Sequence, residues 1–153
     1  MLPRTWEDSS HKDKVTEAYG DNDPIDAIEI GDDAIPMGSV VKCRVLGAME
    51  LIDEGETDHK IIVLRESDSH FSRIKSIADL EKYKPGVVEK LTDWLKNYKT
   101  SDGKPVNTLA QEDPISADEA MDVIDEVSGF YDSLIKGESS PRDGEPFTLN
   151  RRL

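Results

Sequence analysis

Apolar residues along this chain change their spacing near its middle. Between residues 20 and 65 they alternate or run in short stretches bounded by turn residues, which predicts three strands: Ile25 to Ile30, Ser39 to Leu46 after Pro36-Met37-Gly38, and His59 to Arg65. Residues 76 to 136 read as helical. Val87, Leu91, Trp94, Leu95 and Tyr98 recur at helical spacing after Pro85-Gly86. A second helix is predicted from a capping box, Ser116 to Glu119, with Ala120, Met121, Ile124, Val127, Tyr131 and Leu134 on one buried stripe. Trp94 and Tyr131 are expected as core anchors, whereas Tyr98 stands at a helix end beside Lys99, where its hydroxyl can leave the core. Residues 137–153 carry Gly, Ser, Pro and charge and read as a flexible tail behind a domain spanning 1–136. No internal repeat is present.

Composition narrows the function classes. The 153 residues are 36% hydrophobic and 34% charged, a lean supply for one core. A net charge of −14 argues against binding nucleic-acid phosphates or an anionic membrane surface. No apolar stretch is long enough to span a bilayer, and no signal-peptide pattern follows Met1. The single cysteine, Cys43, excludes an internal disulfide, fits a reducing compartment, and reads as a small hydrophobe in a strand. A cytoplasmic location is expected, or an organellar one where a targeting segment precedes Met1.

Two acidic runs carry the candidate chemistry. Gly20-Asp21-Asn22-Asp23-Pro24-Ile25-Asp26 holds three carboxylates and no base. In an extended segment Asp21 and Asp23 would share a face and Asp26 would oppose them, so convergence needs a bend, and Pro24 is placed to shape one. Converged carboxylates repel, and a hard divalent cation relieves that repulsion; a solvated acidic turn is the alternative. The second run, Glu50 to Asp58, has five acids, turns at Gly55 and leads into Ile61 to Leu64. Asp58 and Lys60 share strand parity, with Ile62 and Leu64 continuing that face inward. That suits a metal bridging to an anion held by the lysine. His59 points the other way and reads as packing. An EF-hand starting at Asp21 fails because Pro24 and Asp26 occupy the wrong loop positions.

Asp21-Asn22-Asp23-Pro24-Ile25-Asp26 resembles the signature of soluble family I inorganic pyrophosphatases, and Ile52 to Lys60 resembles that family's second metal loop. Thr5-Trp6-Glu7-Asp8, Trp94 to Lys99 and Asp102-Gly103-Lys104-Pro105 extend the likeness, which follows the eukaryotic branch from about residue 5 to 107. The resemblance implies an α+β fold, mainly β: an OB-like barrel, incomplete at its N-terminal strands, flanked by C-terminal helices. It implies hydrolysis of inorganic pyrophosphate to two phosphates with Mg²⁺, or Mn²⁺ in its place. Asp21, Asp26 and Asp58 would hold an activating metal pair, and Asp53 would help bind metals arriving with the substrate. Asp23 would help deprotonate the attacking water, and Lys60, Tyr98 and Lys99 would grip phosphate oxygens. Pyrophosphate is the expected partner, a homodimer is compatible, and nucleic acid and membrane are not expected.

Two departures from that pattern shape the expectations. Family members have an N-terminal segment before the Thr5-Trp6-Glu7-Asp8 motif that supplies a lysine, an arginine, a tyrosine, glutamates and several strands, so this chain reads as part of such a protein. Open sheet edges and little turnover are expected of these residues alone. The alternative is a non-catalytic part that binds metal or another subunit. The second departure is His59, where an aromatic ring is usual.

Overall fold

Two long antiparallel strands organise the molecule, and the acidic run forms their shared end. The computed structural model describes residues 1–142. Strand β3 (Cys43–Asp53) pairs with β4 (Glu56–Arg65), which follows the two short strands β1 (Tyr19–Gly20) and β2 (Asp26–Glu29); the β3–β4 register runs from Cys43↔Arg65 to Asp53↔Glu56. Glu54 (φ 51°) and Gly55 (φ 91°) are both left-handed, the requirement of a two-residue type I′ hairpin turn. The predicted strand Ser39–Leu46 is therefore corrected: it starts at Cys43 and runs on through the acidic residues to the turn. The charge of Glu50 to Asp58 reads as a loop in the sequence, but Met49 and Leu51 face the core and keep the ladder going.

A register shift between Val45 and Gly47 resets side-chain parity in β3. Leu46, Met49 and Leu51 then share a face with Ile62 and Leu64, while Ala48 shares the other with Ile61 and Val63. The first face is covered by α1 (Ile77–Tyr83) and α2 (Val87–Asn97) through Leu80 and Leu95. The second is covered by α3 (Ala117–Lys136) through Ala120, Val123, Ile124, Val127 and Phe130. Helix layers on both faces explain why β4 is nearly continuously buried.

The sheet is mixed and open. β1 and β2 both pair parallel with β4 along its free edge, while β5 (Thr108–Leu109) and β6 (Ile115–Ser116) pair antiparallel with β3 on the opposite edge. The two sides do not meet among the described residues. The N-terminal segment packs beside the loop joining β1 and β2: the Glu7 amide donates to Asp23 O at 2.9 Å and the Asn22 amide to Glu7 O at 3.0 Å. Trp6 in that segment is fully buried, and its indole N–H donates to Asn22 Oδ1 at 2.9 Å.

Three helical expectations change. Residues 98–114 leave the predicted helical region, forming a 3₁₀ turn at Thr100–Asp102 and then β5. Trp94 is 54% exposed; α2 buries Leu95 instead, and the indole lies 5.1 Å from the Tyr98 ring. Met121 is 43% exposed and Tyr131 half-buried, because the buried stripe of α3 passes through Val123 and Phe130. The Ser116–Glu119 capping box forms as expected, and Gly137 (φ 74°) ends that helix. Beyond it, Ser139 Oγ donates to Asp8 Oδ2 at 3.2 Å, and the remaining tail, 143–153, lies outside the described residues.

Candidate functional site

The edge of β4 explains how the acidic loop is presented. β1 ends opposite Thr57 and β2 begins opposite Lys60, so the intervening residues 21–25 leave the ladder and loop outward. Asn22 adopts the left-handed region (φ 70°), and the Asp23 amide donates to Asp21 Oδ1 at 2.9 Å. The bend expected at Pro24 is thus made two positions earlier, where an asparagine tolerates positive φ. Gly20 is required just before it, since a Cβ there would lie 2.5 Å from the Glu7 carbonyl carbon. In the gap itself Glu7 Oε1 accepts from the His59 amide at 3.0 Å, replacing a strand partner.

A cleft of ≈ 520 Å³ opens at this end of the sheet. Asp21, Asp23 and Asp26 reach it from the loop and β2, Asp53, Asp58 and Lys60 from the hairpin, and Tyr98 and Lys99 from the end of α2. All eight residues singled out in the sequence therefore line one cavity, on the sheet face that continues into the α1–α2 core. Glu54 and Glu56 add to it, making seven carboxylates against two lysines.

The charges are arranged in two groups. Lys60 donates to Asp58 Oδ1 at 2.5 Å and to Asp26 Oδ2 at 2.8 Å. Burial works against the Lys60 ammonium, but Asp58 and Asp26 outweigh it and keep it protonated above its ordinary range. Lys99 lies 2.6 Å from Asp53 Oδ2, and the Tyr98 hydroxyl donates to the same oxygen at 2.6 Å. Burial opposes ionisation of Asp53, yet those two contacts hold its carboxyl below the ordinary range. Burial, and then the Asp53 charge, push the Tyr98 phenol up to about 12, so it remains a donor.

The loop carboxylates behave oppositely. Burial pushes Asp21 up to about 8, and the Glu7 charge adds to the effect. Burial also raises Asp58 despite Lys60, and raises Asp23, with Asp26 contributing. These groups lack enough positive charge to ionise freely. An all-oxygen donor set short of cations fits Mg²⁺ or Mn²⁺, and the buried Asp53 Oδ1 has no hydrogen-bond partner.

One carboxylate beside the cleft was not singled out from the sequence. Glu7 belongs to the Thr5-Trp6-Glu7-Asp8 motif, yet nothing in its local pattern places it near Asp21. One oxygen each from Glu7, Asp21 and Asp58 lie within 4.8 Å of one another. His59, read as packing, is buried as expected, but its Nδ1 is 2.9 Å from Glu7 Oε1.

Residues 1–132 match the family model for inorganic pyrophosphatase. The chain belongs to the inorganic pyrophosphatase family. An inorganic pyrophosphatase of Drosophila melanogaster is 44% identical over 150 residues, covering 97% of this chain and 44% of that protein. The solved inorganic pyrophosphatase of Schistosoma japonicum superposes with a TM-score of 0.85 at 40% identity, over 87% of this chain and 47% of the other. A similar overlay, with TM-score 0.85 and 35% identity, covers 88% of this chain and 51% of an N-terminally truncated vacuolar soluble pyrophosphatase of Trypanosoma cruzi in complex with PPi. The chain spans about half the length of the curated relatives it matches.

Proposed function

We propose that this pyrophosphatase-family chain binds divalent metal and inorganic pyrophosphate in the cleft and contributes to hydrolysis of pyrophosphate to two phosphates. The observation that carries the reading is the convergence of loop, hairpin and helix-end residues on one cavity. Its open sheet would correspond to part of an OB-like barrel, with residues 137–153 as an appended tail.

Asp21, Asp26, Asp53 and Asp58 would hold Mg²⁺, with Mn²⁺ as substitute. Bound there, the cations would lower the pKa of a water and neutralise the diphosphate. Asp23, exposed at the cleft and raised by burial and by Asp26, would accept the proton of the attacking water. Lys60 and Lys99 would exchange their carboxylate contacts for phosphate oxygens, and Tyr98 would donate its hydroxyl. Such a reaction asks mainly for positioning and charge neutralisation, which a rigid hairpin end and helix end provide.

A second reading, metal binding without turnover by this chain alone, is favoured by the charge ratio: two lysines face seven carboxylates, a poor match for an anionic substrate. Calorimetric titration with Mn²⁺ and phosphate release from Mg²⁺-pyrophosphate separate the two. Binding weakened in Asp21→Ala and Asp58→Ala is expected under both. Metal-dependent phosphate release that falls ~10²–10⁴-fold in Asp23→Asn, with Mn²⁺ binding kept, establishes catalysis. Identical Mn²⁺ isotherms in wild type, Asp21→Ala and Asp58→Ala would remove the site altogether.

A further inference from the structure

Glu7 is a carboxylate buried without full compensation. It is 3% exposed, its Oε1 is occupied by the His59 amide and ring, and its Oε2 has no hydrogen-bond partner. A buried carboxylate oxygen with no partner has lost its hydration without compensation, so such an atom calls for a partner. Asp58 already commits Oδ1 to Lys60, and Asp21 commits Oδ1 to the Asp23 amide. Each of the three carboxylates thus has one oxygen held by a donor and a second left for a cation. The grouping of Glu7, Asp21 and Asp58 within 4.8 Å is the one acidic or histidine cluster of that tightness among the described residues. Asp26, by contrast, has its side chain 52% exposed and is engaged by Lys60.

We propose that Glu7 is a direct ligand of a divalent cation, forming with Asp21 and Asp58 a three-carboxylate site in the gap between β1 and β2, and that His59 fixes its reach. The proposal rests on the reading that the cleft takes a divalent metal. The geometry is built by the backbone. The gap leaves the His59 N–H without a strand partner, the amide captures Oε1, and the His59 ring on the far side closes the same oxygen from a second direction. Rotation of the Glu7 carboxylate is thereby blocked and Oε2 is held ready. A preorganised ligand loses less conformational freedom on binding than one on an exposed arm.

The test is Mn²⁺ calorimetry on the full chain in wild type, Glu7→Gln and Glu7→Asp, with melting curves recorded in EDTA. Glu7→Gln keeps shape and removes charge, whereas Glu7→Asp keeps charge and draws the carboxylate back by one methylene. Both are expected to weaken the tightest Mn²⁺ site at least tenfold, and Glu7→Gln, whose amide oxygen can still accept from the His59 N–H, to leave metal-free melting near wild type. A folded Glu7→Gln or Glu7→Asp that binds Mn²⁺ with wild-type affinity overturns the proposal and leaves the Asp21–Asp58 site standing. Absence of Mn²⁺ binding by wild type overturns both readings. A purely structural Glu7 would lower the EDTA melting temperature and leave affinity intact in the variant that folds.

Discussion

The two ends of the β3–β4 hairpin share one ladder and one sheet face but solve opposite problems. At the end away from the turn Leu46, Ile62 and Leu64 are fully buried against α1 and α2 and carry no charge. At the turn end Asp53, Asp58 and Lys60 are 6–8% exposed, nearly as hidden, yet carry charges that the protein only partly balances. The dry end gains stability from excluded water and packing. The charged end gives up some of that stability by holding carboxylates at the cleft without matching positive charge, a distribution expected of a candidate functional site on a rigid scaffold.

This contrast can be broken most forcefully at the dry end. Ile62→Ala should cost about 2–5 kcal/mol by lost burial and the cavity left behind, measured by urea or thermal unfolding in EDTA. A loss below ~1 kcal/mol would mean that this end is not the stabilising half.

At the charged end the sign should reverse. Protonated, Asp21 is a neutral hydrogen-bond acceptor; ionised, it is opposed by burial and by Glu7. Its folded pKa of about 8 lies above the unfolded value, so its contribution is fully present below about pH 4 and lost as pH rises through about 8. The melting temperature of metal-free chain should therefore fall between pH 5 and pH 8. His59, raised by Glu7 against burial, acts in the same direction. Asp21→Asn should be more stable than wild type at pH 8 in EDTA and show a shallower pH dependence. Saturating Mn²⁺ should flatten the wild-type curve. A melting temperature that rises with pH in EDTA would contradict this account of the loop.

The smallest effect sharpens a boundary. Trp94 lies outside the packed stripe and touches the Tyr98 ring, so Trp94→Ala should change stability by no more than about 1 kcal/mol, the scale of one aromatic pair. A true core tryptophan would cost about 3–5 kcal/mol. A loss of that size would move Trp94 into the core and tie α2, with Tyr98 and Lys99 at its end, more tightly to the sheet.

The lining of the candidate cleft was more legible in the sequence than the element boundaries around it. Asp58 and Lys60 follow strand parity, and the pattern around Asp21, Asp23 and Asp26 contains its own turn former, so local spacing is enough to bring these groups to one surface. The type I′ turn was marked only by Gly55, since Glu54 is an uncommon residue at positive φ and the surrounding charge disguised a buried strand. Helical periodicity suggested Trp94 and Met121 for core positions because a repeat of apolar residues defines a stripe only to within one neighbour. Which side of that stripe is covered depends on the partner surface.

Sequence alone determined the chemistry available here: carboxylates without bases, lysines at fixed parity, a helix with its own cap, and one cysteine with no partner. These follow from residue type and separations of a few positions, where covalent geometry limits the choices. Tertiary structure decided what those residues meet. The gap between β1 and β2 delivers Glu7 to His59 and Asp21 across separations of 52 and 14 positions, and α2 delivers Tyr98 to Asp53 across 45. Neither approach has a local signature, because each is set by strand pairing and helix packing between segments whose own sequences do not refer to one another.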